Sequence, residues 1–118
     1  MALNRSLIRR LPVPLLVPAL LGCGTSGVEF TLRNVGAAPL ASVVVHTTGF
    51  TYPLGDVPTG DTRTVRVEAR GESHIELEHG AGQRTRLVVD TYFERGYTGT
   101  VIAEVRPDSV VRVESQVR

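Results

Sequence analysis

From Val28 onward, apolar and polar residues alternate one by one along short segments of the chain. Five segments follow this pattern, at residues 28–33, 64–70, 75–78, 101–106 and 111–114. Because successive side chains of a strand point to opposite faces of a sheet, a period of two predicts strands buried on one face. No segment after residue 27 has the 3.6-residue apolar period of an amphipathic helix. The pattern therefore predicts an all-β fold.

Two further segments, residues 42–48 and 87–93, are more continuously apolar or β-branched. Strands that are buried on both faces have this composition, so both are predicted to be central strands. Seven short strands with turn signals about every ten residues predict an antiparallel β-sandwich.

The turn signals lie between the predicted strands. Pro58 and Gly60 predict a type I turn, with proline at its second position and glycine at its fourth. Residues 80–83, 95–99 and 107–108 each stand between two predicted strands at a hairpin distance.

The first 21 residues have a different composition. Residues 1–10 hold Arg5, Arg9 and Arg10 without any acidic residue, and residues 11–21 form an uncharged apolar run. A membrane-spanning helix needs roughly 20 apolar residues, so this run is too short to be one. A basic start followed by a short apolar centre is typical of a secretory signal peptide.

Residues 20–23 read Leu-Leu-Gly-Cys and resemble the lipobox of bacterial lipoproteins. The resemblance implies cleavage between Gly22 and Cys23, and attachment of a diacylglyceryl group to the sulfur of Cys23. It divides the chain into a signal peptide at 1–22, a short tether at 23–27 and a domain at 28–118. Gly24, which follows the cysteine, implies an outer-membrane position facing the periplasm where the host has an outer membrane.

Cysteine count and charge agree with this assignment. Cys23 is the single cysteine, so no disulfide can form within the chain. The net charge is +1. Without the three leader arginines the balance becomes ten arginines against twelve acidic residues. A slightly acidic domain argues against nucleic-acid binding, which needs a surplus of basic groups.

Two short motifs resemble bacterial immunoglobulin-like domains. They are Asn34-x-Gly36 followed by apolar residues at 40, 43 and 45, and the segment 54–61, which resembles the middle turn of such domains. The resemblance implies an immunoglobulin-like sandwich of about seven strands. The two cysteines and the core tryptophan of antibody domains are missing from the sequence.

The histidines and acidic residues are candidates for metal binding or catalysis. His46, His74 and His79 could bind copper or zinc, but the spacing of five puts His74 and His79 on opposite faces of one strand. Glutamates at 68, 72, 76 and 78 could supply paired carboxylates for glycoside hydrolysis. The arginines among them favour cross-strand ion pairs on the solvent face instead.

Residues 92–99 hold three of the six aromatic side chains together with an arginine and two glycines. Arg95 and Tyr97 on this glycine-flanked loop are a candidate recognition site. In the alternative interpretation, Phe93 belongs to the core and Tyr97 closes the open end of the sandwich.

We therefore expect a lipid-anchored protein of the bacterial cell envelope that is a binding or structural module and not an enzyme. Its expected partners are the bilayer, through Cys23, and an envelope protein. No catalytic residues, metal ligands or cofactor are assigned. A periplasmic copper- or zinc-binding protein is the alternative, and a small hydrolase is a more remote one.

Overall fold

A computed structural model of the chain describes residues 26–118. Eight strands and no helix make up this part of the chain. The strands are β1 (Gly27–Asn34), β2 (Leu40–Thr47), β3 (Phe50–Val57), β4 (Thr62–Val67), β5 (Ser73–His79), β6 (Thr85–Phe93), β7 (Thr98–Arg106) and β8 (Ser109–Val117). The predicted all-β fold is confirmed, with one strand more than predicted.

The strands form two four-stranded sheets that pack face to face. One sheet has the order β4-β1-β7-β8 and the other has the order β3-β2-β5-β6. All neighbouring strands are antiparallel except β1 and β7, which run parallel. The β-sandwich architecture is confirmed, and its strand pairing is antiparallel as predicted except between β1 and β7.

The strand order also differs from that of a constant-type immunoglobulin domain. There the first, second, fifth and fourth strands share one sheet, and the third, sixth and seventh share the other. In this chain β1 and β2 lie in different sheets, and β3 pairs with β2.

The strand that the sequence pattern missed is β3. It contains Pro53 and Gly55, which are unusual in strand interiors, and Gly55 has a φ of +79°. Because β3 lies at a sheet edge, one side of its backbone needs no partner strand. On the neighbouring strand β2, the pairing shifts register around Ser42, which has a φ of 47°. Such a bulge absorbs the irregular backbone of the edge.

β6 is an edge strand and not the predicted central strand. Its residues Leu87 and Val89 face the core, whereas Val88 between them is 56% exposed. The continuous apolar run therefore combines a buried face with an exposed valine, and it does not reflect burial on both faces.

Two of the predicted turns differ from the structure. The amide of Asp61 donates to the carbonyl of Pro58 at 3.0 Å, so the turn begins at Pro58 and places Gly60 third. Gly60 has a φ of +83°, which makes this a type II turn and not type I. Residues 95–99 do not form a hairpin, because β6 and β7 belong to different sheets. The hairpins at 80–83 and 107–108 are confirmed.

The core lies between the two sheets and is built from the inward-facing residues of the alternating segments. Phe30 and Phe93 are its largest fully buried side chains. Burying such a side chain contributes about 1.5–3 kcal/mol. Tyr52, Leu54, Val65, Tyr97, Val110, Val113 and Val117 are partly buried against this core.

Strand direction sorts the connections into two ends of the sandwich. Residues 35–39, 58–61, 80–84 and 107–108 lie at one end, which we name the distal end. Residues 48–49, 68–72 and 94–97 lie at the other, together with the start of β1 and the end of β8. We name this second end the terminal end.

Candidate functional site

The predicted recognition residues Arg95 and Tyr97 lie at the terminal end, in the connection between β6 and β7. This connection shares a small hollow of about 170 Å³ with Ser26 and Gly27, where the described chain begins. Cys23 and Gly22, which the sequence assigns to lipid attachment and cleavage, lie outside the described residues. The loop is therefore adjacent to Ser26, the first residue that the structure describes.

Tyr97 has a structural role in the loop. Its amide donates to the carbonyl of Glu94 at 3.0 Å, and its half-buried ring packs against the core. The ring also meets Tyr92 edge-to-face, with 6.4 Å between centroids. These contacts agree with the interpretation that Tyr97 closes this end. Phe93 is buried in the core as that interpretation requires.

Arg95 and Tyr92 both have exposed side chains. The Tyr92 hydroxyl donates to the Glu94 carboxylate, and this hydrogen bond is the main reason that the pKa of Tyr92 rises to about 12. Within residues 26–118, no ion pair involves Arg95. Of the two predicted recognition residues, Arg95 is therefore the one whose side chain is exposed.

The start of β1 is fixed to the neighbouring strand β4. The Arg66 guanidinium donates to the carbonyl of Gly27 at 3.1 Å and to that of Ser26 at 3.4 Å. Gly27 has a φ of +94°, and a Cβ there would lie 3.0 Å from the carbonyl oxygen of Val67. Ser26 and Gly27 are therefore held against β4.

A second group of functional candidates lies on the outer face of the β3-β2-β5-β6 sheet. There Glu76 and Glu78 of β5 each contact one histidine and at least one arginine. The contacts are His74 Nε2–Glu76 at 2.7 Å, Arg86–Glu76 at 2.6 Å, His46 Nε2–Glu78 at 2.8 Å, Arg84–Glu78 at 3.3 Å and Arg86–Glu78 at 3.4 Å. We name these six residues the charged network. The predicted ion pairs on the solvent face are confirmed for these two glutamates.

The charged network holds both carboxylates in their ionised form. The hydrogen bond from His74, followed by that from Arg86, lowers the pKa of Glu76. The hydrogen bond from His46, followed by that from Arg84, lowers the pKa of Glu78. A general acid needs the opposite shift, a raised pKa that keeps its proton near neutral pH. The arrangement at these two residues therefore suits a solvated ion-pair network.

The third histidine, His79, lies on the other face of the same strand β5. It is buried at the distal end, and its Nε2 donates to the carbonyl of Pro107 at 2.7 Å. The prediction that His74 and His79 face opposite sides is confirmed. Among residues 26–118, no three histidine, cysteine, aspartate or glutamate side chains lie close enough together to hold a metal ion.

The sequence pattern did not indicate a shallow depression at the distal end. It has a volume of about 600 Å³ and is lined by Val35, Gly36, Ala37, Ala38, Arg106, Pro107 and Asp108. The β1–β2 connection packs closely on the β7–β8 turn here, since a Cβ at Gly36 would lie 2.8 Å from Pro107 Cδ. The run of small apolar residues at 35–38 was the available signal, but the contact with residues 106–108 depends on the fold.

In comparisons with known proteins, no family model matches the chain, and no curated protein or solved structure matches it. Within residues 26–118, no helix is long and apolar enough to cross a membrane.

Proposed function

We propose that this chain is a lipid-anchored protein of the bacterial cell envelope, acting as a non-enzymatic binding or structural module at the membrane surface. The first support is the order of residues 1–23, in which a basic segment and a short apolar run precede Leu-Leu-Gly-Cys. In this proposal Cys23 carries the acyl chains and becomes the first residue of the mature protein. Where the host has an outer membrane, the domain faces the periplasm from it.

The observation that carries the proposal is the short distance between Cys23 and the folded domain. β1 begins at Gly27, so only Gly24, Thr25 and Ser26 separate the two. Four residue steps reach about 14 Å when fully extended. A chain anchored at Cys23 therefore keeps the terminal end of the sandwich within about 14 Å of its anchor.

The likeness to immunoglobulin-like domains is proposed only for the two-sheet sandwich architecture, and not for the strand order. Many cell-surface domains share the two-sheet sandwich without sharing one strand order. An assignment at this level fits a binding or structural module of the envelope, and it assigns no particular ligand.

Arg95 is proposed as a contact to a partner on the same membrane. The loop of Arg95 and Tyr97 lies beside Ser26 and Gly27, so anchoring at Cys23 keeps it near the bilayer surface. The Tyr97 ring packs against the core, whereas the Arg95 side chain is exposed. The partner expected here is consequently an envelope protein in or on that bilayer.

The anchor is tested by the mass of the amino-terminal peptide from protein produced in a bacterial host. Wild-type protein is expected to begin at an acylated Cys23 and to remain in the membrane fraction. Cys23→Ser is expected to carry no acyl mass, because serine lacks the sulfur that is modified. Ser26→Ala, which keeps the cysteine, is the control and should be acylated like wild type. A wild-type protein with an unmodified Cys23 thiol would refute the anchor.

The recognition role of Arg95 is tested with a photo-cross-linking residue at that position in the full chain. A discrete protein adduct is expected, because the loop would lie beside its partner. The matched control is the same residue at Thr62, which is exposed at the distal end. Lipid adducts alone, or equal protein adducts from both positions, would remove the recognition role.

A further inference from the structure

One side of the sandwich has two unpaired strand edges next to each other. β8 ends one sheet and β6 ends the other, and the two lie side by side, with Thr91 Oγ1 and Ser115 Oγ 2.9 Å apart. On the opposite side, the turn at 58–61 joins the other two edge strands, β3 and β4. An unpaired edge exposes a row of backbone donors and acceptors and can pair with another chain.

Two exposed residues of opposite charge flank Val113 on β8. Arg112 and Glu114 lie on the outer face with side chains 61% and 51% exposed, and they form an ion pair with each other. Val113 between them faces inward and packs against the core. A positive charge, an inward valine and a negative charge therefore follow one another along this edge.

This arrangement is complementary to itself in an antiparallel pairing of two copies. When Val113 lies opposite Val113 of a second copy, each Arg112 lies opposite a Glu114, and this happens twice in the pair. Moving the centre of symmetry by one residue places Arg112 opposite Arg112, or Glu114 opposite Glu114. Opposite charges across two strands stabilise pairing, and like charges destabilise it. The charges thus favour the Val113-centred register over both of its neighbours.

The adjacent edge strand β6 has a similar arrangement. Val88 is 56% exposed on the outer face, and Arg86 and Asp90 flank it two residues away on either side. An antiparallel pairing centred on Val88 places Arg86 opposite Asp90 of the second copy. β6 and β8 run in the same direction, and the contact between Thr91 and Ser115 puts Val113 level with Val89, one residue from Val88. One two-fold axis can therefore bring both pairs of edges together.

We propose that β8 pairs with β8 of a second copy of this chain, in an antiparallel two-fold dimer with Val113 at its centre. Both sheets then continue from one copy to the other, and β6 lies beside β6. The same patch is used on both partners, as a two-fold interface requires. This pairing is inferred only from the edge strands and their charges, and not from the proposed lipid anchor. The antiparallel pairing places the terminal ends of the two copies at opposite ends of the dimer.

The experiment uses charge reversal in the full chain, with mass measured by sedimentation equilibrium in density-matched detergent. Wild-type protein is expected to be dimeric. Arg112→Glu and Glu114→Arg each replace two attractive cross-strand pairs by two repulsive ones, so each should weaken dimerisation by about tenfold or more. The double variant R112E/E114R restores opposite charges in the same register and should dimerise like wild type.

Mixing the two single variants provides a further test. One has two acidic residues at 112 and 114 and the other has two arginines, so a heterodimer should form where each variant alone does not. Both side chains are exposed, and circular dichroism checks that each variant remains folded. A monomeric wild type, or single variants that dimerise as tightly as wild type, would overturn the proposal.

Discussion

Asn34 shows how one side chain can organise the distal end. It is buried at the end of β1, and its side-chain amide donates to the carbonyls of Ala38 at 2.9 Å and Val57 at 3.0 Å. Its side-chain oxygen accepts from the amide of Gly36 at 3.0 Å. One residue thereby satisfies two backbone groups of the β1–β2 connection and one at the end of β3.

Asn34→Ala is expected to lower the free energy of unfolding by about 2–3 kcal/mol, because buried backbone groups lose their partners. Urea denaturation measures this loss. The control is Thr31→Ala, which removes an exposed hydrogen bond to Thr64 in the same strand and should cost less than about 0.5 kcal/mol. Equal losses for the two variants would show that Asn34 does not organise this end.

At the scale of single residues, the sequence predicted which face of a strand a side chain lies on, but not which residue that side chain contacts. The spacing of His74 and His79 gave their opposite faces correctly, because side-chain direction in a strand alternates with position. The partner of His46 is Glu78, 32 positions further along the chain. That pair depends on the register between β2 and β5, which no local pattern encodes.

At the scale of strands, alternation predicted those with a regular buried face and missed β3. Pro53 and Gly55 are typical of a loop, yet an edge position and a bulge in β2 accommodate them in a strand. The edge position of β6 was mispredicted for a related reason: a strand's place in a sheet depends on its neighbours. Strand order is decided by how the whole chain packs.

Gly99 is the glycine on which the pairing of β7 with β8 most depends. Its φ is +124°, and a Cβ would lie 2.0 Å from the carbonyl oxygen of Gln116. Gly99→Ala is therefore expected to lower the free energy of unfolding by about 2 kcal/mol or more. Gly82→Ala in the β5–β6 turn is the control, because a Cβ there meets nothing within 4 Å.

Chemical denaturation of both variants measures the difference. Gly82→Ala should change the free energy of unfolding by less than about 1 kcal/mol. Amide hydrogen exchange should show that Gly99→Ala loosens the terminal end of β7 and β8 first. A Gly99→Ala protein as stable as Gly82→Ala would mean that the β7–β8 backbone can shift freely at this point.

At the scale of the whole molecule, the charged network links stability to pH. Hydrogen bonds from His74 and His46, followed by those from arginine, hold the pKa values of Glu76 and Glu78 below the ordinary value of 4.5. The unfolded chain therefore takes up protons at a higher pH than the folded one. The resulting stabilisation is present above about pH 4.5 and is lost as the pH falls through the lower folded pKa values.

Urea denaturation between about pH 6 and pH 3 tests this linkage. The double variant E76Q/E78Q should lose less stability on acidification than wild type, since it lacks both carboxylates. Glu29→Gln is the control, because no ion pair in the described part of the chain involves Glu29. Parallel pH profiles for wild type and the double variant would contradict the prediction.

The functional candidates were predicted only in part. The loop of Arg95 and Tyr97 stood out in composition, and the structure locates it beside the start of β1. The distal depression and the paired edges of β6 and β8 join residues that are far apart in sequence. Surfaces of this kind follow from strand order, so sequence alone did not indicate them.

The even number of strands has a consequence for engineering this domain. Gly27 and Arg118 flank the same residue, Thr98, on neighbouring strands, so the start of β1 and Arg118 are about 10 Å apart. A short glycine-rich linker could join them, and new termini could open in the exposed turn at 80–83. Such a circular permutant would begin and end at the distal end of the sandwich. A lipid anchor added to its new amino terminus would hold the distal end, and not the terminal end, next to a membrane.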